Sequence, residues 1–162
     1  MLFSPVFFAL TVFLPTAVDR GYAAMYNLEF PAAHRDFQEW RRDVPVDPMG
    51  PVGDAAAYLF AEFARLHILE SEFFTDDRRF SERERRLKPD PAAKAAFESA
   101  IGEGQKLATN TLARSPHDEN ALLASVLAHG LHSDYLALIE QHNLAALSEM
   151  KQTRQVAERL LR

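Results

Sequence analysis

From Asn27 to Trp40 the chain reads NLEFPAAHRDFQEW, and its apolar residues Phe30, Ala33, Phe37 and Trp40 recur at spacings of three and four. That is the period of one helical face, and Pro31 falls where a first turn tolerates it. Sustained polar/apolar alternation is scarce elsewhere, and two-residue hairpin turns with glycine are lacking, so the pattern predicts an all-α chain. Helices are expected over 18–27, 31–43, 51–69, 91–115, 119–131 and 133–162, the last broken near His142 and Asn143. The segments VPVDPMGPVGD, KPDP and SPHDE, each with proline, mark ends and starts, with Asp118 as an N-cap before the apolar run Ala121 to Ala128.

The third predicted helix carries Ala55, Leu59, Phe63 and Leu66 on one face, widened by Tyr58, Phe60 and Ile68. An apolar surface broader than one stripe should meet two neighbours. The fourth presents the small residues Ala96, Gly104, Ala108 and Thr111 at helical spacing, which allows close approach of a paired helix.

Ala33, Phe37, Trp40 and Pro45 follow the order of the second helix of a tetratricopeptide repeat: a small residue, an aromatic, a further packing residue, then proline. Such a repeat is about 34 residues in two antiparallel helices. Gly21 stands at the small position of the first helix, and Asn27 to Phe30 at the tight turn. Continuing the frame places Ala55 and Tyr58 on the next first helix. Gly104, Ala108 and Thr111 before Pro116 supply its second helix, after an insertion at about 69–91. Val126 and His129, then Thr153, Ala157 and Leu160, fall at the positions of a third unit. The segment from Ala24 to Leu161 also resembles a group of exported bacterial proteins with a similar YNLEF turn, LESEFF insertion and DY start to a late helix. Two of the three units depart from the consensus. The resemblance implies an α-solenoid of stacked antiparallel helix pairs that binds a protein or peptide. It also implies an uncovered apolar face on the last helix, and the alternative that the sequence is a truncated fragment of a longer repeat protein.

Composition narrows the partners. The chain has 162 residues, a formal net charge of -5 and no cysteine. An acidic balance gives no general attraction to phosphate backbones, which argues against a nucleic-acid partner. Without thiols there is no disulfide framework or thiolate metal site. Residues 2–18 carry no charge, and the run is short for a membrane span of about 20 residues. It suits the apolar region of a secretory signal, although Lys and Arg are absent ahead of it and no clean cleavage pattern follows Pro15. The division expected is therefore 1–18 as a signal peptide or hydrophobic N-terminal segment, and 19–162 as the helical domain. Export to the periplasm or exterior is the favoured location, with a cytoplasmic chain as the alternative and any membrane contact confined to an uncleaved N-terminal segment.

No GxSxG, GxGxxG or phosphate-loop pattern occurs, so the chain offers no nucleophile and no cofactor site, and it is read as no enzyme. The candidate binding residues are Tyr58, Glu62 and Arg65 on the third helix, with Phe74, Arg78 and Arg79 in the insertion. Aromatics there would anchor a partner and the guanidinium groups would hold carboxylates; the competing reading has the phenylalanines plug the helix stack and the charges form local ion pairs. A rival of another class uses His129 and His132 with Glu140 or Asp134 as metal ligands in a helical-bundle enzyme. Gly130 to Ser133 is expected to break the helix between the two histidines, which weakens that rival, and no metal is assigned.

Overall fold

The computed structural model describes residues 14–69 and 87–161, all helix, turn or loop, with no strand among them. Helix α1, Ala17–Tyr26, starts at a capping box in which Thr16 accepts from the Asp19 N–H while Asp19 accepts from the Thr16 N–H. Helix α2, Phe30–Asp43, takes Pro31 in its first turn, where no intrahelical donor is needed. Helices α3, Met49–Arg65, and α4, Pro91–Arg114, follow. Asp90 caps α4 and Asp118 caps α5, Glu119–Asp134, through the Ala121 N–H at 2.8 Å. A π-helical turn, Tyr135–Ile139, continues α5 before α6, Asn143–Leu160.

Two expected boundaries are corrected. Gly130 to Ser133 does not break α5: a Cβ at Gly130 would meet nothing within 4 Å, so the glycine costs only helix propensity, and the Ser133 hydroxyl donates to the Ala146 carbonyl. The other expected break, near His142 and Asn143, is present at Glu140 to His142. Helix α3 begins earlier than expected because Asp47 accepts from the Met49 N–H, and it ends earlier because His67 turns into the left-handed region, at φ 60.

The junctions between helices are of two alternating kinds. After α1, α3 and the π turn, the second residue beyond the helix lies in the left-handed region, and none is glycine: Leu28, His67 and Gln141. The next N–H then bonds back across the helix end, Glu29 to the Ala24 carbonyl and Ile68 to that of Phe63, as in a Schellman closure; at the π turn His142 reaches one residue further, to Leu136. After α2 and α4 the C-cap is extended and a proline follows. The Asp47 N–H bonds to the Val44 carbonyl and the Asp118 N–H to that of Ser115, each closing a four-residue turn.

Packing alternates in step. Each of α1, α3 and α5 pairs with the helix that follows it; α1 also touches α3, and α3 touches α5. Helix α3 is the shared wall, giving Ala57 to a cluster with Ala24, Ala33 and Phe37, and Val52, Ala55, Leu59 and Phe63 to the larger cluster with α4, α5 and the π turn. Expected core positions Ala33, Phe37, Ala55, Leu59, Phe63 and Ala108 are all buried, while Trp40 is half-buried and donates its indole N–H to Asp47.

Close approach depends on glycine where the helices cross. A Cβ on Gly104 would lie 2.5 Å from Val52 Cγ2, whereas one on Gly102, two residues earlier in α4, would meet nothing within 4 Å. Gly104→Ala is therefore expected to cost about 1–3 kcal/mol by overpacking, and Gly102→Ala to add about 0.5–1 kcal/mol by propensity. Chemical denaturation of both variants checks the contrast; equal effects would remove the close contact from the account.

Candidate functional site

Chemistry-bearing side chains gather between helices rather than on one open surface. The first knot joins α2, α3 and α4. Asp54 enters the chain inside the apolar α3, and its side chain is 3% exposed. A carboxylate at that depth needs donors on both oxygens. His34 Nδ1–H supplies one at 2.5 Å and Arg41 the other at 2.9 Å; Arg41 also donates to Glu103 at 2.5 Å. The Tyr58 ring lies against that of His34, centroids 4.1 Å apart. Tyr58, the first candidate binding residue, is thus half-buried in this knot.

Glu62 and Arg65 meet at a contact between α3 and the returning chain, where Glu62 is buried and the Arg65 side chain stays 48% exposed. Glu62 is 4% exposed, because α3 turns it toward the returning chain, where it accepts from Arg65 and from the Asp90 N–H. Arg65 spends a further donor on the Lys88 carbonyl. Together they fasten the far side of the insertion to α3. Phe74, Arg78 and Arg79 lie outside the described residues, as do residues 1–13 of the expected signal segment 1–18; its last two residues, Ala17 and Val18, begin α1.

The rival metal trio is not assembled. Glu140 pairs with Lys94 and approaches His142, while His129 and His132 both turn their Nδ1 atoms to Glu149 of α6, at 2.6 and 3.3 Å. The unbroken α5 does put both histidines on one face, contrary to expectation, and Glu149 is the partner the sequence left unnamed. Among the described residues no group of three His, Asp or Glu side chains is arranged to hold a metal ion.

Beside the Lys94–Glu140 pair, Tyr135 stacks on Phe97 at 4.8 Å and is 2% exposed. Its hydroxyl is a buried polar atom with no hydrogen-bond partner among the described residues. Burial first, then the Glu140 charge, pushes its pKa up to about 12 from 10.0; burial alone does the same to Tyr22. The fold holds these protons more tightly than the unfolded chain does, so stability is intact below pH 10 and falls as pH rises toward 12. The loss is on the order of 2–3 kcal/mol per tyrosine at ~1.4 kcal/mol per unit. Tyr135→Phe, which also deletes the orphaned hydroxyl, is expected to gain about 1 kcal/mol at neutral pH and to raise the alkaline unfolding midpoint. Alkaline titration followed by circular dichroism checks this, and an unmoved midpoint refutes it.

The open apolar surface lies on α6. Ala146 faces inward, and Thr153, Ala157 and Leu160 are half-buried on the same side, as the expected stripe requires; Leu144, Leu147 and Met150 stand out at 87, 62 and 58% exposure. They share an open face of that one helix with Ser148, Lys151 and Arg154. A second stripe three residues apart, offset from Ala146, was the available signal; the buried Asp54 knot had none, since its members are distant in sequence.

Among the described residues one helix, 119–139, is long and apolar enough to cross a membrane by length and composition; it packs against α3, α4 and α6. No family model matches the chain, and comparisons with curated proteins and with solved structures find no match.

Proposed function

We propose that the chain is a non-catalytic interaction scaffold, a degenerate tetratricopeptide-like stack of three antiparallel helix pairs that holds a segment of another protein or a peptide. The reading is supported above all by the alternation of junctions. One turn type joins the helices within each pair, α1 to α2, α3 to α4 and α5 to α6, and another joins successive pairs. A two-helix unit used three times generates that rhythm. The pairing of α1 with α3 and of α3 with α5 is what neighbouring units in a stack would make.

Binding moves, in this reading, from the third helix to surface that the fold leaves unspent. Glu62 is buried in its contact with Arg65 and the Asp90 N–H and Tyr58 is half-buried against His34, whereas the outer face of α6 offers apolar side chains to solvent, and exposed apolar patches mark interaction sites. The exported location remains part of the proposal through the uncharged N-terminal run.

Selection of a displayed random-peptide library on the folded chain, counter-selected on heat-unfolded chain, tests the function. Peptides that bind only the folded protein at micromolar affinity are expected. A library that yields none sinks the scaffold reading.

A further inference from the structure

The outer face of α6 carries a sign as well as an apolar stripe. Its set of residues, Leu144, Leu147, Ser148, Met150, Lys151 and Arg154, contains two cations and no carboxylate, in a chain whose formal net charge is -5. Arg154 is bonded along the helix to Glu158, while Lys151 has no carboxylate partner among the described residues. A cationic rim beside an apolar strip, on an acidic protein, favours a ligand with apolar side chains and an adjacent acidic edge. It disfavours anionic lipid, since the whole molecule would be repelled.

The shape selects the ligand's form. Leu144 and Leu147 are three residues apart on one helix, followed by Met150 and then Lys151 and Arg154 on the same side. A ridge of that kind along an exposed helix accepts a second helix laid beside it, with its own apolar residues at spacings of three and four. Among the described residues nothing competes for the face: α6 is held from its opposite side by Ala146, by the Ser133–Ala146 hydrogen bond and by the histidine–Glu149 contacts. We propose that the outer face of α6 is a docking site for an amphipathic helix of a partner protein, with Leu144, Leu147 and Met150 meeting its apolar stripe and Lys151 and Arg154 meeting an acidic edge.

The inference rests on the scaffold reading, and peptides selected as above separate the two. They are expected to show apolar residues at helical spacing flanked by Asp or Glu. Leu144→Ser with Leu147→Ser, both solvent-exposed and safe for folding, should weaken them by about tenfold or more, the loss of a central apolar anchor. Lys151→Glu should weaken acidic-edged peptides and strengthen versions carrying Lys in place of Glu. Peptides that bind equally well to all variants would overturn the α6 assignment and leave the scaffold reading intact. A library with no binders would overturn both. Concentration-dependent self-association of the chain, lost on Leu147→Ser, would assign the face to a second copy instead. Binding to phosphatidylserine vesicles, lost in the same variant, would assign it to lipid.

Discussion

Replacing Asp54 by alanine is expected to destabilise the chain by about 3–5 kcal/mol, the usual cost of removing one member of a buried ion pair. The side chain is 3% exposed and both its oxygens are used, by His34 and Arg41. Truncation leaves the His34 donor unpartnered in a half-buried position, while Arg41 keeps only Glu103. Asp54→Asn preserves the shape and one acceptor, and so should cost less. The coupling is the sharper quantity: His34→Ala in the Asp54→Ala background should cost less than in the wild type, because the interaction is already gone. Urea denaturation of the four proteins at neutral pH supplies the numbers. An Asp54→Ala effect under about 1 kcal/mol would mean that water reaches the carboxylate and that the knot is a surface feature.

Phe37→Ala is the second large loss, about 3–5 kcal/mol for an aromatic deleted from a sealed site. Phe37 is 0% exposed and its ring is held between two glycines. A Cβ on Gly21 of α1 would lie 2.6 Å from the ring, and one on Gly53 of α3 2.4 Å. The aromatic of α2 is thus clamped by both neighbouring helices, with Tyr22 edge-on at 5.1 Å. Gly53→Ala alone should cost about 1–3 kcal/mol through overpacking. In a Phe37→Ala protein the same methyl enters the vacated space, so its cost should fall toward zero or turn favourable. Thermal melts of the double-mutant cycle read this directly; additive losses would show that the two glycines do not touch the ring.

Phe37 also marks how far the sequence could be read. The spacing Ala33, Phe37, Trp40 and the small residue Gly21 anticipated which side chains meet, because helical period and residue size act locally and survive in one dimension. Gly53 was missed: the repeat frame pointed to Ala55, two residues on, which is also buried but faces the other cluster. Helix starts were legible where a proline or an aspartate acts on its own first turn, at Pro31, Pro91 and Asp118. The ends at Leu28 and Gln141 fall where a turn and a break were expected, but that of α3 was not legible, where His67 adopts a left-handed backbone without glycine, since tertiary packing imposes that geometry against local preference.

The candidate site divided in the same way. Glu62 and Arg65 look like surface charge on the helical period, and only the return of the chain at Lys88 to Asp90 buries Glu62 and ties it to an Arg65 that stays exposed. His129 and His132 were recognised as a pair. Their carboxylate came from a helix whose register against α5 no local pattern specifies. On α6 the repeat pattern pointed to Thr153, Ala157 and Leu160, which lie half-buried on the inner side; the exposed stripe of Leu144, Leu147 and Met150 was not singled out.

The position of α3 as a wall common to both hydrophobic clusters sets the order in which the chain can assemble. Apart from α3 with α4, each helix packs on its sequence neighbour across a short turn, and α1 with α3 and α3 with α5 are the longer-range pairs, so most native contacts close small loops and folding should be fast. The α3–α4 pairing must instead gather the segment between Arg65 and Pro91, but loop closure grows only logarithmically, by about 0.6 kcal/mol per doubling of length. Neither cluster is complete until α3 is in place. A transition state centred on α3 follows, with Val52 and Leu59 as the high-φ positions and α6 consolidating late.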